Sequence, residues 1–335
     1  MFEIKNKSLK KTLSILARIF LSVGLLVYLY FQIDVDKTKM ILKSAQISYI
    51  LYSFLAYLVI MVFILIIRWG MLLKGLGLKA PWISVIRYHF IGLFGNVLLP
   101  SAIGGDVVKI IGLCSHSDEK PKVVASVVLD RLSGFAGMII VATVAFLIGY
   151  TLVPDFTLGY YILILTLMSV VMVVILFNGK LYAFCCRIFS PFPKLKKGLM
   201  NVHYDIVLIK DRPGILALSV LLSCLAQVIL AAGSFLLAKA LHQDIDFIYF
   251  FIFIPMISVA SSLPSIGGLG VREAGAAFLF AKVGMPQGVA VSISLMGYIF
   301  CALIGVAGVV IFMLTHQVNL KQWKEAMSSI DEGES

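Results

Sequence analysis

Six charged residues stand inside, or at the edges of, long apolar runs: Asp106, Lys109, Asp130, Arg131, Arg272 and Glu273. Asp106 and Lys109 are three residues apart, which puts both on one face of a helix. Asp130 and Arg131 fall about two turns inside the apolar segment 123–150. A charge in hydrocarbon is costly, so these groups must pair with one another or face water. Two chemistries suit them. Guanidinium forks match the oxygens of a phosphate, which makes Arg131 and Arg272, with Lys109, ligands for a phosphate-bearing group. Asp106, Asp130 and Glu273 then balance charge or carry protons. The alternative is an internal salt-bridge network that fixes the fold, with Asp106 and Glu273 acting as ordinary first-turn acids.

Most of these residues border a phrase that occurs twice. The chain reads Leu99-Pro100-Ser101-Ala102-Ile103-Gly104-Gly105-Asp106-Val107-Val108-Lys109, and later Leu263-Pro264-Ser265-Ile266-Gly267-Gly268-Leu269-Gly270-Val271-Arg272-Glu273. Each copy breaks an apolar stretch with Pro and Gly and restarts it beside charge. A helix that restarts there carries unpaired N–H groups and the positive end of its dipole. Glycine at Gly104, Gly105, Gly267, Gly268 and Gly270 lets a ligand, or a second backbone, come close. An anion at those amides and a close helix crossing are both open readings. In a membrane chain, paired broken segments in corresponding halves point to a transport site. Asn96, just before the first break, and Gln227, deep in segment 214–238, are either polar contacts between helices or cavity liners. Arg87 and His89, early in segment 82–115, are expected to snorkel to the interface.

The elements that position these residues are membrane helices. The 335 residues are 61% hydrophobic and 13% charged, against about 25% charged in a soluble domain. The net charge is +11, 28 basic against 17 acidic. Basic residues in short loops between apolar spans exclude nucleic acid as a partner and fit the positive-inside rule. Five cysteines without metal-ligand spacing read as apolar fillers. No cleavage site follows the first apolar run, so it reads as an uncleaved helix. No nucleotide-binding or other enzyme motif is present, which predicts a protein that is not an enzyme and takes no cofactor.

Full spans are expected at 13–32, 47–68, 123–150, 158–177, 214–238 and 287–314, each near the ~20 residues that cross a bilayer. Segments 82–115 and 247–285, each interrupted by the repeated phrase, read as re-entrant hairpins on the strength of the central Pro and Gly, while full helical pairs would leave every loop on the same side. The fold class is therefore all-α: six transmembrane helices and two hairpins. Loop charges place residues 1–12 in the cytoplasm, together with Arg68, Lys74 and Lys79, the basic segment 178–213 and the tail 315–335. Segment 33–46, with mixed charge, reads as a loop. The neighbourhoods of Asp155 and Asp244 lie outside. Repeats 13–150 and 158–314 are then inverted relative to one another, in the cytoplasmic membrane. Segment 178–213 reads as an interfacial amphipathic helix.

The run Gly95-Asn96-Val97-Leu98-Leu99-Pro100 with Gly104-Gly105-Asp106, the pair Asp130-Arg131 after Ser126-Val127-Val128-Leu129, and Pro264 with Gly267-Gly268-Leu269-Gly270-Val271-Arg272-Glu273 resemble the membrane region of lysylphosphatidylglycerol synthases. They also resemble the stand-alone flippase-like proteins of that family. The resemblance covers about residues 10 to 315. It implies movement of a lipid between leaflets. The aminoacyl transfer of the two-part synthases does not carry over, because these residues hold no soluble domain to perform it. Lys109 stands where an arginine is common in the family. Membrane lipids of anionic or polyprenyl-phosphate type are the implied partners. A separate glycosyl- or aminoacyl-transferase that this chain serves, or a small-solute or ion transporter, are the alternatives.

The sidedness is directly testable. In a cysteine-free background, a cysteine at Lys196 is expected to label only from the cytoplasm and one at Asp244 only from outside. Labelling of both from one face removes the inverted repeat.

Overall fold

The computed structural model describes residues 20, 22–98, 104–115, 117, 119–149, 159–160, 212–261 and 268–315. All regular structure among them is helical. The helices are α1 (Ser22–Gln32), α2 (Val35–Lys43), α3 (Ile47–Gly75), α4 (Trp82–Leu98), α5 (Gly104–Cys114), α6 (Lys120–Gly149), α7 (Pro213–Ala240), α8 (Phe247–Ala260), α9 (Val271–Ala281) and α10 (Gln287–Thr315). Four of them, α3, α6, α7 and α10, are long and apolar enough to cross a membrane. They correspond to the expected spans 47–68, 123–150, 214–238 and 287–314. The expected span 13–32 is described only from its middle, as α1. The span 158–177 except residues 159–160, most of segment 178–213, residues 1–12, the tail beyond Thr315, and both phrase centres with Pro100, Pro264 and Gly267 lie outside the described residues.

Two boundaries differ from the sequence reading. Segment 33–46 is not a loop. It contains α2, whose first turn is capped by Asp34, the Lys37 amide donating to its carboxylate at 3.0 Å. Helix α3 does not stop at residue 68 but runs to Gly75, with a π turn at Ile60–Ile64. The apolar run simply continues past Arg68 through Trp69, Met71, Leu72 and Leu73.

Each interrupted segment is a pair of short helices packed on one another, α4 on α5 and α8 on α9. Their 17, 11, 14 and 11 residues correspond to about 26, 16, 21 and 16 Å at 1.5 Å per residue. None alone reaches across about 30 Å of hydrocarbon. Neighbours are exchanged between the halves: α6 packs on α8, and α10 packs on α4. Helices α3 and α7 pack antiparallel at the centre. Ser53 and Tyr57 face Gly233 at one end, and Arg68 meets Ser223 toward the other.

Close crossings depend on glycine. A Cβ on Gly105 would sit 2.0 Å from the Gly92 carbonyl oxygen and 2.5 Å from Asn96 Oδ1. The backbone of α4 cannot retreat from it. The main apolar core lies between α3, α7, α8, α9 and α10. There Phe280 packs against Phe250 at 4.8 Å and Phe253 at 5.2 Å. A second core surrounds Trp69 at the end of α3 and ties in α4, α5 and α6.

Gly105→Ala should lower the unfolding midpoint in detergent, at an overpacking cost of about 1–3 kcal/mol. Gly24→Ala, where a Cβ meets nothing within 4 Å, should be neutral or stabilising by up to ~1 kcal/mol. Thermal unfolding of both variants checks this.

Candidate functional site

The charged residues form two groups, one in each half. The first joins α3, α5, α6 and α7. Asp130, in α6, accepts from Arg68 Nε at 2.7 Å, and Arg68 Nη1 donates to Ser223 Oγ on α7 at 2.8 Å. Arg131, one residue on, turns to the other side of α6 and donates from Nε to Asp106 of α5. Adjacent residues on a helix point about 100° apart, so one Asp-Arg dipeptide serves two different pairs.

Arg68 belongs to this group rather than to a loop. It lies within α3 and is 7% exposed. Its sequence signal was the uninterrupted apolar run on both sides of it. His89 likewise does not snorkel. It is 1% exposed, held on α4 with Nε2 2.8 Å from the Met61 carbonyl oxygen in the π turn of α3. It sits two turns inside α4, and α5 and the end of α3 close over it.

Lys109 is 7% exposed and makes no ion pair with a described residue. Its stem crosses Gly92, where a Cβ would meet Lys109 Cγ at 2.7 Å. Its ammonium sits 5.2 Å from the centre of the Trp69 ring, a cation–π contact. The Trp69 indole N–H in turn donates to Ser126 Oγ at 3.2 Å. Asp106 and Asp130 lie within electrostatic range of Lys109 without bonding it. Among the described residues three cations, Arg68, Lys109 and Arg131, therefore face two carboxylates, Asp106 and Asp130, a net charge of +1, with Arg131 partly exposed and the other four buried.

The second group joins α9 and α10. Glu273 has 0% exposure. Its Oε2 accepts the Gly270 amide at 2.7 Å, closing the first turn of α9. Its Oε1 accepts from Arg272 Nη2 at 2.6 Å and from Ser294 Oγ at 3.1 Å. Arg272 Nε also donates to Ser294 Oγ at 2.9 Å, and the guanidinium lies 5.0 Å from the Tyr298 ring centre. Gly268 and Gly270 adopt φ of +82° and +85°, which glycine reaches without strain. One acid and one base balance here, and the hydroxyl of Ser294 bridges them.

The glycine-turn amides are partly satisfied from within the chain. The Gly105 amide donates to Asn96 Oδ1 at 2.9 Å, and the Gly270 amide to Glu273. Asn96 is thus a contact between α4 and α5. Gly104, the first described residue of α5, is buried, and Gly267 lies outside the described residues. Gln227 is buried on α7 with its Oε1 unpartnered. Asn96, Gly104, Gly105, Asp106, Lys109, Asp130 and Arg131 are gathered in one neighbourhood. Gly268, Gly270, Arg272 and Glu273 form the other.

Asp130→Ala leaves Arg68 buried without its acid and should destabilise the fold by about 3–5 kcal/mol. The double replacement Arg68→Met with Asp130→Leu should recover most of that loss, read as the unfolding midpoint in detergent.

The comparisons with known proteins follow the same residues. The family model described as lysylphosphatidylglycerol synthase TM region matches residues 15–308. A UPF0104 membrane protein of Pyrococcus horikoshii is 26% identical over 307 residues, covering 83% of this chain and 90% of that protein. A UPF0104 membrane protein of Methanocaldococcus jannaschii is 24% identical over 345 residues, covering 96% of this chain and all of that protein. The match includes both broken segments, both charged groups and the helices that hold them, and on it the chain belongs to the lysylphosphatidylglycerol synthase transmembrane-region family.

Proposed function

We propose that this chain moves an anionic, phosphate-bearing lipid between the leaflets of the cytoplasmic membrane, and that it does so without making or breaking covalent bonds. The observation that carries the reading is the buried surplus of positive charge around Lys109. Arg68 and Arg131 are each committed to a carboxylate. Lys109 lies over the face of Trp69 and makes no ion pair with a described residue. A phosphodiester monoanion brought to Lys109 neutralises the site. The acyl chains stay in lipid while the headgroup passes through the polar interior.

The arrangement of helices supports transport. Two pairs of short helices, α4–α5 and α8–α9, are each flanked by a long helix from the other half. That exchange suits two inverted repeats of three full spans and one re-entrant hairpin. In this reading both termini are cytoplasmic and the breaks at Pro100 and Pro264 sit near the midplane. Lys109 and Arg131 are the headgroup ligands, and Asp106 and Asp130 hold them in place. Arg272 is the counterpart in the second half, with Glu273 and Ser294 occupying its donors. The lysylphosphatidylglycerol named in the family description carries the same phosphodiester group, with a lysyl group added that makes its headgroup cationic as a whole.

Headgroup accessibility of phosphatidylglycerol in reconstituted vesicles tests the reading. Lys109→Gln should reduce translocation at least thirtyfold, since losing one partner of a buried charged contact costs about 2–5 kcal/mol and each 1.4 kcal/mol is tenfold. Lys109→Arg should retain much of it, and Lys39→Ala, at an exposed side chain, all of it. Arg272→Ala should lower translocation together with stability, because Glu273 then stays buried alone. Full transport by Lys109→Gln overturns the assignment. Uptake of inorganic phosphate in place of the lipid converts the reading to a small-solute transporter.

A further inference from the structure

His89, in the first cluster, has one ring nitrogen that no described pairing accounts for. Its Nε2 lies 2.8 Å from the Met61 carbonyl oxygen. A carbonyl only accepts, so Nε2 carries the hydrogen, and the neutral ring presents Nδ1 as a bare acceptor. That Nδ1 is buried and has no hydrogen-bond partner. The ring cannot turn to relieve it without giving up Met61, which lies inside the π turn Ile60–Ile64. Irregular turns of this kind recur at functional sites.

The charges that face His89 come from three helices: Lys109 on α5, Arg68 on α3 and Asp130 on α6. From α10 the contacts to α4 are made at Gly305 and Gly308, against Leu93 and Phe90, and bring no charge. Arg68 is tied to Asp130, so Lys109 is the unpaired charge beside the ring.

We propose that His89 is the proton-carrying residue of the anion site, its Nδ1 taking up one proton as a phosphate-bearing headgroup binds beside Lys109. The inference rests on the anionic-lipid reading of that site. Charge arithmetic carries it. Counted over the described residues, the empty site, with His89 neutral, holds three cations and two carboxylates, net +1. An anion alone brings it to zero, and a proton alone to +2. An anion and a proton together leave it at +1. The repulsion between Lys109 and an imidazolium is offset only when the phosphate is present, so each ligand favours the other, and the coupling is reciprocal. The proton comes from water and binds the Nδ1 lone pair. No other bond changes. Lipid movement is then coupled to a proton, which supplies a driving force wherever a proton gradient exists.

The test is calorimetric. Short-chain phosphatidylglycerol, whose phosphodiester stays a monoanion throughout, is titrated into the intact chain in detergent between pH 6 and pH 8. Each titration is repeated in two buffers of different ionisation enthalpy to count protons. We expect affinity to rise about five- to tenfold from pH 8 to pH 6, the low end of common coupling factors, with net proton uptake on binding. In His89→Gln the side-chain amide N–H can still reach the Met61 carbonyl but cannot titrate. Binding should persist with the slope and the uptake gone. Wild-type binding with no pH slope and no proton uptake overturns the proposal and leaves the anion site standing. So does a His89→Gln protein that binds and keeps both. Absence of binding by the wild type at every pH overturns this proposal and the anionic-lipid reading together. If His89→Gln does not fold, the wild-type proton count decides alone.

Discussion

The pair Arg68–Asp130 is the contact on which the first half depends. Two opposite charges, each under a tenth exposed, are brought together from helices 62 residues apart in sequence and fastened to Ser223 on a third helix. In hydrocarbon a lone charge is expensive, and removing one partner strands the other. Helices α3, α6 and α7 therefore cannot slide or rotate independently. Trp69, next to Arg68, is then directed into the space between α4, α5 and α6, where it anchors the second core and supplies the ring under Lys109. The position of the unpaired cation is thus a consequence of the paired ones.

A second constraint is how closely α4 and α5 approach. Gly92 and Gly105 let α4 and α5 meet backbone to backbone, and Asn96 reaches across to the Gly105 amide. The amide at the start of α5 is satisfied by a side chain of α4. In α9 the Glu273 carboxylate does the equivalent work for the Gly270 amide. Backbone groups in a membrane need internal partners wherever the helix is interrupted. The anion reading consequently rests on side-chain cations more than on helix ends.

The all-helical class and the four long apolar helices were legible because hydrophobic length and loop punctuation record them directly. That the intramembrane charges must pair or face water was legible too, but which acid meets which base was not: Asp106 shares a helix face with Lys109 in the sequence and accepts from Arg131 of another helix instead. Arg68 was misread because one arginine at the end of about 20 apolar residues looks like a flanking charge. Only the apolar run beyond it shows that the helix continues. The place of His89 was not legible, because its burial depends on α5 and the π turn of α3 closing over it, and a π turn leaves no mark in residue type. Helix α2 was hidden by mixed charge, although Asp34 three residues before Lys37 is an N-cap pattern.

The two copies of the phrase show how a small difference in sequence separates two similar sites. Aligned on their glycine pairs, Lys109 corresponds to Arg272, Asp106 to Leu269, and Ile110 to Glu273. Arg272 thus has a carboxylate as its immediate neighbour, and the two close on each other with Ser294. Lys109 has isoleucine there. Its nearest acid in the phrase, Asp106, is claimed by Arg131 of α6. The backbone adds to the difference. Helix α5 is already formed at Gly104, so Lys109 emerges in its second turn, against α4 and Trp69. In α9 the positive φ of Gly270 delays the start to Val271, and Arg272 emerges in the first turn, beside its own cap. One copy is electrically closed and serves to fix α9 on α10. The other keeps a buried cation over an aromatic face, with no ion pair among the described residues, and it is the half in which an anion has something to gain by binding.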